Sequence, residues 1–343
     1  MRAHTQHGAV SASPPQSAVS ARVATGAVVV MLLWALCFPL IAAGLAAAPP
    51  MSFATLRAAL AGGVLLALAE FTRRPPILGA QVWAGLIVVG LTATTLGFVG
   101  MFYGGGLVSP GLATVIANTQ PLIAAALAWV FLDERLGIAQ RLGLTAGFAG
   151  IVLIGAPGLS GSSSQLVGTA LIVTAAMGIA ISNVVLKRLA GRVDPLRAMG
   201  WQLVIGSVPL AMLALAVESP DEIVWSGPFV LNLMVLSVLG TAAAFWLWFE
   251  LLRRESLSQL NVYTFLTPAF GLLMGRAFFD ERIHPLALAG IALSVLGIVA
   301  VNRGTAERAG RSLRDGKSMQ EGESLPAGKR LVAECASRRE RRP

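Results

Sequence analysis

Long apolar runs, broken by short polar or turn-forming stretches, set the pattern of this chain from residue 24 to residue 302. Ten runs can be traced, approximately 24–45, 52–71, 81–103, 110–132, 139–157, 167–187, 198–217, 229–250, 257–279 and 284–302. At 1.5 Å of rise per helical residue, a run of about 20 residues crosses the ~30 Å hydrocarbon layer of a bilayer. Ala48-Pro49-Pro50, Arg73-Arg74-Pro75-Pro76, Ser109-Pro110-Gly111, the Gly/Ser stretch 158–164 and Asp194-Pro195 supply the turns. The pattern predicts an all-α integral membrane protein with ten transmembrane helices. Ala46-Ala47-Ala48 resembles a signal cleavage site, but the 22 residues of the first run exceed the ~7–15 of a signal core. The run is kept as a span.

Charge sharpens this reading. Only 13% of the 343 residues are charged and 55% are apolar, against about 25% charged in soluble domains. Residues 303 to 343 alone hold 11 of the 26 Lys and Arg and six of the 17 acids. Residues 1–23 and 304–343 therefore read as disordered extensions, the second a basic tail held near anionic headgroups. With the amino terminus inside, inner segments before the tail carry Arg2, Arg22, Arg73, Arg74, Arg135, Arg141, Lys187, Arg188, Arg192, Arg197, Arg253 and Arg254, and outer loops carry Arg282. The positive-inside rule then puts both termini in the cytoplasm of a cell (inner) membrane protein. The net charge of +9 lies in loops and tail rather than on a basic folded face, so nucleic acid is not an expected partner. Cys37 and Cys335 imply neither a disulfide framework nor a zinc site.

The chain also repeats itself. Without a gap, residues 94 to 154 align on 241 to 301 at an offset of 147: Pro121 falls on Pro268, Phe131 on Phe278, and Asp133-Glu134-Arg135 on Asp280-Glu281-Arg282. Five helices per half is an odd number, so the second unit (167–303) must enter the membrane upside down relative to the first (24–157). Inverted repeats typify secondary transporters, whose two halves exchange conformations around a site near the midplane.

The repeated pattern is a small-residue helix with a central proline, an acidic-basic cap after an aromatic, then a glycine-rich helix. It reads PGLATVIANTQPLIAAALAWVFLDERLGIAQRLGLTAGFAGIVLIG and then SLSQLNVYTFLTPAFGLLMGRAFFDERIHPLALAGIALSVLGIVAVN. This resembles the drug/metabolite transporter superfamily, specifically the EamA-type family, over residues 24 to 303, including Trp34 and Arg57. The resemblance implies a ten-helix pump or exchanger for small metabolites, often an exporter of amino acids or related compounds. It further implies that helices one to four and six to nine line the cavity while five and ten brace the periphery. Gly137 opposite His284, and Trp129 opposite Arg276, are departures between the two halves.

Pro121 and Pro268 are expected mid-helix, each freeing a carbonyl one turn earlier, near Ala117 and Thr264. Such interruptions are tolerated only where protein or water satisfies the freed group, and Asn118, Thr119, Gln120, Tyr263, Thr264 and Thr267 surround them. A packing kink is the plainer alternative. Arg57, about six residues into its helix, has no local acidic partner; it either clamps a substrate carboxylate or snorkels to the surface. Trp34 and Phe38 share one helical face and could line an apolar cavity, or contact lipid. Asn183 and Gln202 are intramembrane amides that need partners: each other, a neighbouring helix or substrate. Arg276 is explained by an i,i+4 pair with Asp280, and Glu250 by Arg253 or Arg254.

The sequence shows no H-E-x-x-H, no G-x-S-x-G and no P-loop, and no cofactor is implied. The expected function is a secondary transporter that moves a small metabolite, an amino acid or related compound exported by alternating access. A proton gradient or exchange would supply the energy. The alternatives are a multi-span membrane enzyme acting on lipids and a passive solute channel. The expected partners are the small-molecule substrate and the lipid bilayer; a homodimer is compatible with the sequence and not required by it.

Overall fold

The computed structural model describes residues 21–104, 107, 117–132, 137–155, 163–279, and 285–299 apart from 287, 294 and 298. Among the described residues all regular structure is helical. The helices are α1 Ala21–Leu45, α2 Pro50–Phe71, α3 Ala80–Gly104, α4 Gln120–Leu132, α5 Ile138–Gly155, α6 Ser163–Leu189, α7 Pro195–Val217, α8 Gly227–Arg254, α9 Leu257–Tyr263, α10 Leu266–Phe279 and α11 Leu288–Gly297. Six of these, α1, α2, α3, α6, α7 and α8, are long and apolar enough to cross a membrane. The two Asp-Glu-Arg triplets, the Arg276–Asp280 pairing, the extensions 1–20 and 304–343 and the linker 158–162 lie outside the described residues and side chains.

Local chemistry starts the helices where the turns predict. Pro50 and Pro195 open α2 and α7 from the first helical position, where the missing N–H costs nothing. Asp194 Oδ1 accepts from Leu196 N and Arg197 N, and the Ser226 and Ser256 hydroxyls accept from Phe229 N and Gln259 N. These are side-chain caps of otherwise orphaned donors. Gly191, at φ 82°, supplies the left-handed turn after α6 that other residues adopt poorly.

The ninth run is not one helix. It breaks after Tyr263 and restarts at Leu266, with Thr264 N, Phe265 N and Thr267 N bonded to the carbonyls of Asn261, Val262 and Thr264. Residues 118–119 break the chain in the same way before α4. Pro121 and Pro268 thus sit in the first turn of a new helix, where the proline ring is compatible with helical geometry, rather than in the middle of a continuous one. The Thr264 carbonyl is satisfied by Thr267 N at 3.0 Å.

α2 and α7 pack along their length and run antiparallel. At one end Glu218, just past α7, bonds Met51 N and Ser52 N at the start of α2. At the other, Arg197 of α7 bonds Glu70 of α2 at 2.8 Å. Small residues let the backbones approach: a Cβ on Gly62 would lie 2.9 Å from the Gly200 carbonyl, and one on Gly206 would lie 2.5 Å from the Gly90 carbonyl. Close approach at glycines is the main route to helix association in lipid, where apolar burial drives little.

Two apolar cores are stacked along these helices. One gathers Met31, Leu86, Met199, Leu203 and Phe249; the other gathers Met51, Phe53, Phe98, Leu210 and Phe229. Four buried polar side chains, Arg57, Thr94, Gln202 and Thr241, fall between them on α2, α3, α7 and α8. Two of these sit in π-helical turns, Gly90–Leu96 in α3 and Val238–Ala243 in α8. At the repeat offset of 147, Val238–Ala243 falls on 91–96, so the widened turn occurs at the same place in both halves.

Gly206→Ala should lower the stability of the detergent-solubilised protein by about 1–3 kcal/mol through overpacking, because its Cβ would meet backbone on one side and Thr94 on the other. Gly63→Ala, which meets nothing within 4 Å, should leave the melting temperature unchanged or raised. Equal melting curves for both variants would refute the close-packed α2–α3–α7 contact.

Candidate functional site

One face of α1 carries Met31, Trp34 and Cys37 at i, i+3 and i+6, the spacing that stacks side chains along a helix. It meets a matching stripe on α8, Thr241, Phe245 and Trp248. Trp34 lies 5.3 Å from Trp248 and 6.2 Å, edge on, from Phe245, within the range of favourable aromatic pairing. Trp248 Nε1 donates to Asn183 Oδ1 of α6 at 2.9 Å. At the lower end of the column the Thr267 hydroxyl of α10 donates to Met31 Sδ at 3.2 Å.

At the upper end is Arg57. Its side chain is buried, at 4% exposure, which excludes the snorkelling alternative: the helix position that suggested it is covered by α1, α3 and α8. Nε donates to Thr241 Oγ1 at 2.7 Å, Nη2 to Cys37 Sγ at 3.4 Å, and the guanidinium carbon stands 4.7 Å over the Phe98 ring. The single Cys37 S–H is within reach of the Leu33 and Gly240 carbonyls, at 3.3 and 3.4 Å. No carboxylate among the described residues pairs with Arg57. A guanidinium offers five N–H donors, and a hydroxyl, a thiol and a ring face account for only part of them. Trp34 Nε1 is also buried without an acceptor. A charge at membrane depth costs about 2.5–3.5 kcal/mol on insertion scales, and buried donors are normally satisfied. The arrangement is donor-rich, and among the described residues it has no anionic partner.

A sister arrangement lies across the helix pair. Gln202 Oε1 accepts from Thr94 Oγ1 at 2.8 Å, and Thr95 Oγ1 donates to the Gly206 carbonyl at 2.9 Å. Arg57 and Gln202 are each the eighth residue of a helix opened by proline, and Thr94 and Thr241 are equivalent at the repeat offset. Helix two of each half therefore bonds the widened turn of helix three in the other half.

The structure brings Trp34, Arg57, Asn183 and Thr267 into one chain of contacts and places Gln202 in the sister bond. Asn183 and Gln202 bond different partners rather than each other. Gln120 and Tyr263 are buried and Asn118 half-buried beside the helix breaks; the Phe38 side chain lies outside the described residues. Glu250 pairs with both Arg253 and Arg254, at 2.9 and 2.6 Å. Sequence reading missed Cys37, Phe98, Thr94 and Thr241, although Thr94 on Thr241 is the first pair of the ungapped alignment. It also missed the buried amides of α9: Asn261 is fully buried with both side-chain polar atoms unpaired, as are the Gln259 and Gln120 amide nitrogens. Among the described residues no group of three His, Cys, Asp or Glu could hold a metal ion. An apolar groove of 560 Å³ over α2 and α8, lined by Leu56, Leu60, Val64 and Leu233 among others, offers no polar group to orient a solute.

Two related halves, six long apolar helices and a buried polar layer between two apolar cores describe a polytopic membrane protein. A family model for the EamA-like transporter family matches residues 22–156 and again 166–303, and the chain belongs to that family. It is 31% identical over 280 residues, covering 81% of this chain and 91% of the relative, to a Bacillus subtilis protein named as an uncharacterized transporter, YvbV. It is 26% identical over 282 residues to an Escherichia coli protein named as a probable amino-acid metabolite efflux pump, covering 79% of this chain and 92% of that one. A solved crystal structure with 22% identity superposes with a TM-score of 0.69 over 81% of this chain and 96% of its own, a likeness of fold.

Thr241→Val should destabilise the purified protein by at least about 1–3 kcal/mol, since it leaves a buried charged donor unsatisfied. Trp248→Phe, which orphans the Asn183 carbonyl oxygen, should cost about 1 kcal/mol. Thermal melting in detergent reads both, and an unchanged Thr241→Val protein would contradict the geometry at Arg57.

Proposed function

We propose that this EamA-family protein is a secondary exporter of a small metabolite, an amino acid or related compound, working by alternating access. Its ten helices form two inverted five-helix repeats in the cell (inner) membrane, with both termini in the cytoplasm as the basic-residue distribution indicates. The observation that carries this reading is Arg57: a buried guanidinium with donors to spare, at the join of both halves, suits the carboxylate of a solute. The antiparallel run of α2 and α7, equivalent helices of the two halves, supports the inversion. The paired Arg57–Thr241 and Gln202–Thr94 bonds support alternating access, because both tie one half to a π-helical turn of the other, a feature common at functional sites.

In this reading Trp34 and Arg57 face the solute from the first half and Asn183, Gln202 and Thr267 from the second, with Phe38 proposed beside Trp34 on the sequence spacing alone. Asn118, Gln120 and Tyr263 contribute from the breaks that precede Pro121 and Pro268, where a discontinuous helix leaves polar groups for a ligand. The relative named as an amino-acid metabolite efflux pump supports the substrate class. Energy would come from an ion gradient or from exchange.

The test is a panel of amino acids and toxic analogues, scored for resistance in cells overproducing the protein, followed by counterflow of the active compound in proteoliposomes. Wild type should confer resistance and show saturable counterflow. Arg57→Ala should weaken apparent affinity about ten- to a hundredfold, the worth of one charge-assisted hydrogen bond. Flux that never saturates, or full affinity in Arg57→Ala, would defeat the proposal.

A further inference from the structure

The last turn of α2 closes on a left-handed residue that is not glycine. Arg73 N bonds the Glu70 carbonyl at 2.9 Å and Arg74 N bonds the Ala69 carbonyl at 2.8 Å, the pattern that satisfies the final carbonyls of a helix through one residue of positive φ. That residue is Arg73, at φ 52°, and among the described residues every other positive φ belongs to glycine. Glycine takes this conformation without the Cβ clash that arginine meets. The Arg73 side chain is exposed and bonds no other described group. Nothing within the fold accounts for a cation at this strained position.

Its neighbours join the end of α2 to the turn between α6 and α7. The Arg74 carbonyl accepts from Arg197 Nη2 and Nε at 3.0 and 3.3 Å, Arg197 pairs with Glu70 at 2.8 Å, and Arg74 stands 3.7 Å from Asp194. The same turn carries Arg192, exposed and likewise without a partner among the described residues. Both carboxylates of this junction are therefore taken by Arg197 and Arg74, and the charges of Arg73 and Arg192 are left over. Other basic side chains at this end of the molecule are occupied. Lys187 donates to the Leu252 and Glu255 carbonyls and Arg188 to the Phe131 carbonyl, and Arg253 and Arg254 share Glu250.

The junction also has an apolar side. Trp201 is four residues past Arg197, about 6 Å deeper along α7, and meets Trp83 of α3 edge on at 5.2 Å. Both rings are half-buried, and tryptophan is enriched where hydrocarbon gives way to headgroups. Phe71 and Leu78 flank the connection between α2 and α3 at 86% and 78% exposure. The arginines thus stand at headgroup depth, with large apolar side chains beside them and an aromatic pair one turn below.

We propose that this junction binds one anionic phospholipid, whose phosphate diester bridges Arg73 at the end of α2 and Arg192 in the α6–α7 turn. A guanidinium recognises phosphate through paired N–H donors, and both side chains are free to supply them. A soluble phosphate would gain nothing from Phe71, Leu78 and the tryptophan pair, which lie where the ester groups and first methylenes of a lipid run. A lipid with a net negative headgroup suits the site; a phosphocholine headgroup brings its own ammonium and does not. The opposite end of the α2–α7 pair offers no such site, since its charged side chains are Glu218, Asp221 and Glu222. The bound lipid would add a third bridge to the two ion pairs at this end. The proposal concerns lipid binding alone and holds whatever solute the chain moves.

The experiment titrates the purified full chain in neutral detergent with phosphatidylglycerol, phosphatidylcholine and inorganic phosphate, counting bound lipid by native mass spectrometry. The first phosphatidylglycerol should bind more tightly than phosphatidylcholine. Arg73→Gly and Arg192→Gln should each weaken it about fivefold, the worth of one basic residue near an anionic headgroup, and leave phosphatidylcholine unchanged. Arg73→Gly relieves the left-handed strain, so its lipid-free Tm should match or exceed wild type, which separates lost binding from lost folding. Arg141→Gln, an exposed cation on α5 away from the junction, should bind as wild type does. Equal affinity for the two lipids, or wild-type affinity in the Arg73→Gly, Arg192→Gln double variant, overturns the site. An equal loss in Arg141→Gln would show diffuse charge attraction instead, and displacement of the lipid by an equal concentration of inorganic phosphate would show a site for soluble phosphate; either result also overturns the proposal.

Discussion

A charge in an apolar interior has to be compensated from somewhere, and the structure of this protein is arranged around how that is done for Arg57. Its helix supplies no partner. Compensation comes from a hydroxyl 184 residues away in sequence and a thiol 20 residues away, together with an aromatic face on a third helix. Bringing those groups together requires α1, α2, α3 and α8 to meet at one depth, between the two apolar cores. The compensation is also incomplete, and this makes the layer a candidate binding site rather than a structural ion pair.

The same layer explains why the helices are irregular where they are. A regular α-helix through residues 238–243 would carry Thr241 on its own 3.6-residue stripe. The π-helical turn lets its hydroxyl donate to the Leu236 carbonyl at 3.0 Å, five residues back, while it accepts from Arg57. The equivalent turn in α3 presents Thr94 to Gln202. The two halves thus carry two copies of one device, one with the charged Arg57 and the other with the neutral Gln202.

Much of the architecture was legible in the sequence. Long apolar runs mark lipid-spanning helices, and the ends of the six long helices fall within a few residues of the runs. The repeat was readable because Pro, Phe, Gly and the acidic-basic triplets recur at one offset. The site was only half legible. Arg57 and Trp34 stand out as costly or bulky residues at depth, but Thr94, Thr241 and Cys37 are small and ordinary within an apolar run, and only tertiary contact gives them a role. The break between α9 and α10 was hidden because apolar composition is the same on both sides of it. Asn261 and Gln259 went unread for a related reason: an amide in a membrane helix matters only if its neighbours leave it unpaired.

The central claim is that two similar units of opposite sense enclose this layer, so that α2 and α7 leave it toward opposite faces of the membrane. Labelling of single cysteines at Thr72, after α2, and Ser219, after α7, with a membrane-impermeant maleimide in intact cells tests it most directly. The account predicts labelling of the Ser219 position in intact cells and of the Thr72 position only after permeabilisation. Labelling of both positions in intact cells, or of neither until the membrane is opened, would contradict it.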